Sequence, residues 1–237
     1  MQEKWTAQQT TALELLVKKK MHYREIADIL GRSTDAIRSK IFYLRQEQAG
    51  PKHWLNDEKV AFFDIETTNF NADIGIMLSW ALKYVGDKKV YSDIITKKEI
   101  MDGRLDRRIV LSLLAELRKT DVVVGYYSTG FDIPFLRTRC LILDIPFPAY
   151  GSLNHYDCYY TARAKLKLHS KRLASVADAL HCNNEKTPVK IAVWQKAQYG
   201  DPTALKYVLD HNKADVLVLE EVYDRLRKFV QIMRKSI

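Results

Sequence analysis

Two carboxylates one residue apart, Asp64 and Glu66, follow an apolar run at residues 60–63. In a β-strand successive side chains point to opposite faces, so both carboxylates share one face and Phe63 and Ile65 lie on the other. Like-charged carboxylates at a buried strand end repel each other, and a divalent cation that prefers oxygen ligands relieves the repulsion. The pair is therefore a candidate Mg²⁺ or Mn²⁺ site; the alternative is a strand end that leads into a polar turn.

Two later segments carry carboxylates that could join this pair. Asp132 falls in the first turn of a predicted helix, because Pro134 is tolerated only near a helix start, and the helix dipole favours a carboxylate there. His211 and Asp215 are four residues apart in a strongly periodic helix, so they lie on one face. Taken singly, Asp132 is equally explained as a helix cap, and the His211 and Asp215 pair as a surface or packing pair.

The elements that must position these residues have an α/β order. Apolar and β-branched residues predict a meander of three strands, which begin near residues 59, 75 and 89. A helix over 106–119, a buried strand over 121–125 and a long helix over 207–227 are expected to follow. Strands in a meander followed by helix–strand units form the RNase H-like order. The expected fold is an α/β mixed five-stranded sheet flanked by helices and preceded by a small all-α domain.

Residues 1–50 predict that small domain, with three helices expected at 6–20, 23–30 and 35–47. Ala27 at the helix crossing and Gly31 at the turn follow the helix-turn-helix pattern, and the segment resembles Myb/SANT-like and sigma-factor modules. The resemblance implies binding of duplex DNA. The residues expected at the groove or phosphates are Arg32, Ser33, Thr34, Arg38 and Lys40.

A three-helix unit that packs against protein is the alternative for this segment. It contains nine Lys and Arg against six Asp and Glu, and is therefore only mildly basic. Residues 51–58, with Gly50-Pro51 at their start, are interpreted as a linker. Residues 59–237 are interpreted as the second domain.

Composition favours a polyanionic partner, since the net charge is +9 and the pI is near 9.3. Cys140, Cys158 and Cys182 have no C-x-x-C spacing, which argues against a disulfide framework and a zinc site. No apolar run has the length of a membrane span, and the first residues lack a signal-peptide pattern. We therefore expect no membrane association and a cytoplasmic location, nucleoid-associated in a bacterium or in the host cytoplasm for a virus.

Three segments match, in order, the exonuclease motifs of the DEDD superfamily of RNase H-like 3′–5′ exonucleases. They are Phe63-Asp64-Ile65-Glu66-Thr67-Thr68, then Val124-Gly125-Tyr126 with Phe131-Asp132-x-Pro134-x-Leu136, and then His211-x-x-x-Asp215-Val216. Over residues 59–228 the chain looks closest to the branch that contains the exonuclease domains of family B DNA polymerases and their stand-alone bacterial and viral relatives.

The resemblance implies hydrolysis of DNA from single-stranded 3′ ends to nucleoside 5′-monophosphates. It implies that Asp64, Glu66, Asp132 and Asp215 hold two Mg²⁺ or Mn²⁺ ions, with Asp64 as the bridging ligand. His211 would orient or deprotonate the attacking water. RNA or a branched strand as substrate, and a DNA-binding regulator with a degenerate nuclease scaffold, are the alternatives; no protein partner is indicated.

Two positions depart from the family pattern. Members with a histidine usually have His-x-x-x-x-Asp, whereas His211 stands at the spacing typical of a tyrosine. Tyr127 occupies a position that is often Asn in relatives, and offers stacking in place of a polar contact.

Residues 159–172 are basic with interleaved aromatic side chains, which suits a single strand's phosphates and bases; a solvated helix face is an equally good interpretation. Asp157 and Trp194 are interpreted as structural. The residues of this half expected to contact nucleic acid are Thr67, Thr68, Tyr127, Arg163, Lys165, Lys167, Lys171 and Arg172.

Overall fold

The protein is represented by a computed structural model that describes residues 5–19, 21–48, 58–149, 151–184, 187–229 and 235–236. The chain divides into two compact units, residues 1–53 and 54–237, which are described separately. The predicted linker over 51–58 lies outside the described residues, apart from Glu58. Among the described helices, none is both long and apolar enough to cross a lipid bilayer.

The first unit contains the three predicted helices. They are α1 (Ala7–Lys18), α2 (Tyr23–Leu30) and α3 (Thr34–Gln48). Helix α1 begins at a capping box, in which Thr6 and Gln9 each accept a backbone N–H from the other. Helix α2 ends at Gly31, whose φ of 62° is the left-handed conformation that glycine adopts without cost. One apolar cluster joins the helices through Leu13, Ile26, Ala27, Ile37, Ile41 and Leu44.

The second unit is built on a mixed sheet. Its strands are β1 (Val60–Thr67), β2 (Met77–Tyr84), β3 (Tyr91–Ile94), β4 (Val122–Gly125), β5 (Asn154–Asp157) and β6 (Lys235–Ser236). Their order across the sheet is β3-β2-β1-β4-β5-β6. The first three strands form an antiparallel meander, β4 and β5 run parallel to β1, and β6 is antiparallel to β5.

This arrangement confirms the predicted five-stranded mixed sheet and adds β6 at its edge. Strand β6 has two residues, which are too few to show an alternating pattern in the sequence. The third strand covers Tyr91–Ile94 and begins two residues later than expected.

Helices cover both faces of the sheet. They are α4 (Lys97–Met101), α5 (Arg107–Leu117), α6 (Asp132–Ile142), α7 (Cys158–Lys165), α8 (Leu173–Ala179), α9 (Ile191–Ala197) and α10 (Pro202–Leu226), with a short 3₁₀ turn at Arg227–Phe229. Helix α10 begins where Asp201 accepts the N–H of Ala204 at 2.7 Å, and Pro202 occupies its first position.

Strand β1 separates the two halves of the core. Ala61, Phe63 and Ile65 pack in a cluster with α5 and α6. Val60 and Phe62, on the opposite face, pack in a cluster with the C-terminal half of α10. Strand alternation continues the second face to Asp64 and Glu66, so both carboxylates lie on the side of the sheet that α10 covers.

Candidate metal centre

Helix α10 contacts the first carboxylate of β1 directly. Asn212 Nδ2 donates to Asp64 Oδ2 at 2.6 Å, and Asn212 Oδ1 accepts from Ser79 Oγ at 3.2 Å. Both Ser79 and Asn212 are fully buried, whereas Asp64 is partly exposed. The amide therefore connects β2, α10 and β1, and fixes one oxygen of Asp64 while the carboxylate keeps access to solvent.

The second carboxylate of β1 meets the two residues that share a face of α10. Nε2 of His211 lies 3.5 Å from Glu66 Oε1 and 3.7 Å from Asp215 Oδ2. One donor atom from each of the three residues falls within 4.8 Å of the others. His211 and Asp215 are buried, and the Glu66 side chain is 17% exposed. The four-residue spacing in α10 thus brings both side chains to Glu66.

Asp132 contacts the same strand, β1, from helix α6. It is the first residue of α6 and is buried, and its Oδ1 accepts the backbone N–H of Ile65 at 3.1 Å. Ile65 lies between Asp64 and Glu66 in β1. Because β1 and β4 are adjacent parallel strands, the helix that follows β4 begins beside the carboxyl end of β1. The fourth predicted carboxylate is therefore held against the backbone of the strand that carries the first two.

Two further side chains, Trp194 and Thr187, support this group. Trp194 Nε1 donates to Glu66 Oε2 at 3.3 Å, and the indole packs edge-on against the His211 ring with centroids 5.2 Å apart. Thr187 Oγ1 lies 2.6 Å from Nδ1 of His211, within hydrogen-bond distance. Glu66 and His211 are thus both oriented by the segment that contains α9.

Sequence reasoning missed these supporting residues. From the sequence, Trp194 is predicted to be structural, and Thr187 and Asn212 carry no prediction. Asn212 could have been identified from the sequence, because it adjoins His211 in a helix that carries two predicted site residues. Trp194 and Thr187 could not, because no local pattern relates them to β1.

The donor set fits a divalent cation. Carboxylate oxygens of Glu66 and Asp215 converge from a strand and a helix. Asp64 lies in the same strand segment as Glu66, and Asp132, from α6, accepts the backbone N–H of Ile65 between them. Several acidic oxygens in a partly buried place repel one another unless a cation joins them, and an oxygen-rich set with at most one nitrogen suits Mg²⁺ or Mn²⁺. The residues present are therefore those that such an ion takes.

The loop between β4 and α6 is fixed by one carboxylate. Asp157 Oδ1 accepts the N–H of Tyr127 at 2.8 Å and of Tyr159 at 3.0 Å, and its Oδ2 accepts the N–H of Thr129 at 2.8 Å. Tyr127 has a φ of 62°, in the left-handed region that an aromatic residue seldom adopts. Asp157 is therefore structural, as predicted from the sequence, and its role is to hold this loop.

Gly125, in the second motif, has a steric reason to be glycine. A Cβ at this position would lie 2.0 Å from Ser128 Oγ, so any side chain there would collide with the loop. Ser128 is itself buried, and its hydroxyl lies 2.7 Å from His155 Nε2. The end of β4 and the loop are thus packed against each other without room for a larger residue.

The residues predicted to contact nucleic acid near the centre have several different environments. Thr67 Oγ1 donates to the carbonyl of Asn69, and Thr68 Oγ1 accepts the N–H of Ile76, so both hydroxyls order the turn after β1. Lys171 is partly buried and donates to the carbonyl of Leu168. The exposed members of the set are Tyr127, Arg163, Lys165, Lys167 and Arg172.

In the first unit, two of the five predicted contact residues pack on Trp5. Arg32 lies over the indole at 5.0 Å and donates to Gln9 at 3.0 Å, and the Lys40 ammonium lies 5.9 Å from the same ring. Ser33 Oγ accepts the N–H of Ala36, and Thr34 is the first residue of α3. Arg38 is exposed and pairs at 3.5 Å with an exposed aspartate one turn earlier.

Comparisons with known proteins agree with this geometry. The RNase_H_2 family model of the RNase_H superfamily matches residues 61–227. The uncharacterized protein YprB of Bacillus subtilis (strain 168) is 30% identical over 197 residues, which cover 76% of this chain and 46% of YprB. This chain therefore spans about half the length of that relative.

Among solved structures, the family B DNA polymerase of the hyperthermophilic archaeon Pyrobaculum calidifontis matches with a TM-score of 0.59. The match covers 73% of this chain and 25% of the polymerase at 21% identity, a level at which the likeness concerns the fold. The motifs, the sheet order and the family match all indicate the same superfamily. The chain belongs to the RNase H superfamily.

Proposed function

We propose that this protein is a divalent-metal-dependent 3′–5′ exonuclease that hydrolyses the phosphodiester bonds of DNA and releases nucleoside 5′-monophosphates. The observation that carries the proposal is the convergence of acidic residues from β1, α6 and α10. Asp132 Oδ1 accepts the N–H between the two carboxylates of β1, and Asp215 lies in one cluster with Glu66.

The metal-holding residues in this proposal are Asp64, Glu66, Asp132 and Asp215. Bound Mg²⁺ or Mn²⁺ would supply a more acidic attacking water and neutralise charge on the phosphate. The carboxylates hold their positions through protein contacts that already exist: Asp64 through Asn212, and Glu66 through Trp194. Side chains held in this way cost little reorganisation when the substrate binds.

His211 has the geometry of a residue that orients the attacking water. Its Nε2 faces Glu66 and Asp215, and its Nδ1 is engaged by Thr187. The ring is buried, with Trp194 packed edge-on against it and Nε2 directed at the two carboxylates. The unusual spacing in the third motif therefore does not turn the histidine away from the centre.

The direction of degradation is inferred from the motifs. The order of the Asp64–Glu66, Asp132 and Asp215 motifs is that of 3′–5′ exonucleases, and the fold is similar to part of a DNA polymerase. The exposed basic residues of α7 and the loop after it supply charge for a strand that leads to the centre.

The first unit is proposed to bind duplex DNA. Its support is the short turn at Gly31 between α2 and α3, with exposed Ser33 immediately before α3 and exposed Arg38 in its second turn. In helix-turn-helix modules, the N-terminal end of the second helix enters the major groove. Arg38→Glu in the full chain should weaken duplex binding and reduce its salt dependence, whereas Glu14→Gln, on α1, should not.

The test of the nuclease proposal uses single-stranded DNA labelled at its 5′ end, with Mg²⁺ or Mn²⁺ or with a chelator. We expect a ladder of shortened products, with nucleoside 5′-monophosphates released, and loss of at least about a thousandfold in rate for Asp64→Asn. Asp73→Asn, an exposed aspartate in the loop after β1, is the matched control and should retain the rate.

The same assay is repeated with an RNA strand of the same sequence. Faster degradation of RNA would favour the ribonuclease alternative with the same chemistry. If the protein binds DNA but neither polymer is shortened at high enzyme concentration, the nuclease proposal is wrong and a regulator with a nuclease-like scaffold is favoured.

A further inference from the structure

Three tyrosines form an aromatic cluster beside the second motif. Tyr127 and Tyr159 have ring centroids 4.9 Å apart, Tyr159 and Tyr160 5.2 Å apart, and both pairs meet nearly edge-on. The outer rings, of Tyr127 and Tyr160, lie 6.4 Å apart with an angle of only 33° between their planes. These two side chains are 46% and 41% exposed. The two outer rings are therefore similar in orientation, and each is partly exposed to solvent.

The backbone at Tyr127 is strained, and this conformation sets the position of the exposed ring. A φ of 62° is unfavourable for a bulky side chain, and such conformations persist only when the surrounding structure enforces them. The enforcing contacts are present: Asp157 accepts the N–H of Tyr127, and the Tyr127 carbonyl accepts the N–H groups of Gly130 and Phe131. Strain held at an exposed aromatic residue points to a use for the ring in this position.

Gly130 fixes where the ring lies. A Cβ at Gly130 would stand 2.6 Å from Cζ of Tyr127 and 2.9 Å from both Cε atoms. The phenol ring therefore lies directly over the glycine backbone, and only glycine leaves room for it. Glycine at position 130 thus permits the ring position that Tyr127 adopts.

Positive charge continues from this cluster along α7. Arg163 is one helical turn beyond Tyr160, and Arg163 and Lys165 are both exposed. The basic loop that follows is attached to the end of β4, because Tyr126 Oη donates to the carbonyl of Lys171 at 2.5 Å. Burial raises the pKa of the Tyr126 phenol, so this hydroxyl stays a donor. The tyrosines and the basic residues consequently belong to one continuous surface.

The cluster adjoins the candidate metal centre. The Tyr127 carbonyl accepts the N–H of Phe131, the residue immediately before Asp132, so the strained loop forms the entry to α6. A strand whose end lies at Asp132 has the tyrosine cluster and then the basic residues within reach.

We propose that Tyr127, Tyr159 and Tyr160 form a stacking subsite for unpaired bases of single-stranded DNA, with Arg163 and Lys165 contacting its phosphates. The inference rests on the proposed nuclease function and assigns residues that bind the DNA strand during that function. Tyr127 and Tyr160 offer the exposed faces, and the edge-on contacts of Tyr159 hold them in place. Stacking uses the face of any base, so the subsite binds strands of any sequence.

The test measures binding without divalent metal, by fluorescence anisotropy of a labelled single-stranded oligonucleotide. Tyr127→Asn removes the ring and keeps the backbone, since Asn tolerates the left-handed conformation better than other non-glycine residues. We expect Tyr127→Asn and Tyr160→Leu each to weaken binding about 5- to 100-fold. Tyr127→Phe keeps the ring and should stay within about twofold of the unmodified protein, as should Tyr199→Leu, an exposed tyrosine outside the cluster.

An oligonucleotide of the same length with abasic residues separates stacking from phosphate contacts. The unmodified protein should prefer the normal strand, and Tyr127→Asn should lose most of that preference. Equal binding of normal and abasic strands by the unmodified protein, or unchanged affinity in both ring-removing variants with unchanged circular dichroism, overturns the subsite.

Failure of the subsite is distinguishable from failure of the nuclease proposal. If the subsite alone is wrong, the unmodified protein and Tyr127→Asn shorten DNA equally well with Mn²⁺. If the nuclease proposal is wrong, no protein shortens DNA, and the base preference in metal-free binding still decides whether the tyrosines stack.

Discussion

Asn212 on helix α10 donates a hydrogen bond of 2.6 Å to Asp64 on strand β1. The same amide accepts from Ser79 on β2, so three elements meet at one buried side chain. Groups that hold metal-binding carboxylates in this way orient them and tune metal affinity and activity.

Replacement of this amide should therefore reduce both activity and stability. We expect Asn212→Leu to lower kcat or Mn²⁺ affinity about 10- to 100-fold. It should also lower the free energy of unfolding by about 1–3 kcal/mol, because Ser79 loses its partner in a fully buried place. Steady-state kinetics, calorimetric titration with Mn²⁺ and urea unfolding measure the three quantities. Unchanged Mn²⁺ affinity and unchanged kcat would show that Asp64 does not need the amide.

The indole of Trp194 should act on Glu66 through its N–H. Trp194→Phe keeps an aromatic ring against His211 and removes the donor to Glu66, so we expect about a 10-fold loss of kcat with little loss of stability. Trp80→Phe is the matched control: its Nε1 donates to Ser112 at 3.0 Å, on the opposite face of the sheet from the carboxylates. The control should change stability and leave kcat unaffected. If the two variants have the same kcat, the Trp194 N–H does not contribute to the site.

The buried ion pair between Arg139 and Asp106 should contribute strongly to the free energy of unfolding. Arg139 Nη2 lies 2.6 Å from Asp106 Oδ1, and both side chains are almost completely buried. Arg139→Met leaves a buried carboxylate without its counter-charge and should cost about 3–5 kcal/mol in unfolding free energy. Lys206→Met, which breaks an exposed pair with Asp210, should cost less than about 1 kcal/mol. Urea denaturation of both variants measures the difference, and similar costs would contradict it.

Glu99 should make part of the stability depend on pH. Hydrogen bonds from Arg108 lower the pKa of this carboxyl from 4.5 to about 2. Because the folded-state pKa is depressed, the stabilisation is present above about pH 4.5 and is lost as the pH falls toward 2. We expect Glu99→Gln to lower the unfolding free energy by about 1–3 kcal/mol at pH 7, and the difference from the unmodified protein to narrow between pH 4.5 and 2. A difference that stays constant with pH would show that the charge of Glu99 is not its source.

Much of the candidate site was predictable because local periodicity decides which face a side chain occupies. Alternation placed Asp64 and Glu66 together, and a spacing of four placed His211 beside Asp215. The remaining contacts depend on tertiary structure. Trp194 and Glu66 are 128 residues apart, and no local pattern relates them.

The turn at Tyr127 shows the same limit at short range. The sequence indicated an aromatic residue in place of a polar one. It did not indicate the left-handed backbone, since tyrosine has no preference for that conformation and the contacts that impose it come from Asp157, 30 residues later. The fold class, in contrast, followed from the order of strands and helices alone.

Strand β1 lies between β2 and β4 and contacts α10, so the carboxylates lie on an interior strand of the sheet. Amide hydrogens of such a strand exchange with solvent mainly when the whole domain opens. Loss of activity on heating should accordingly coincide with global unfolding, with no earlier step in which the centre melts alone. The proposed activity should then report on the folding of the whole cooperative unit.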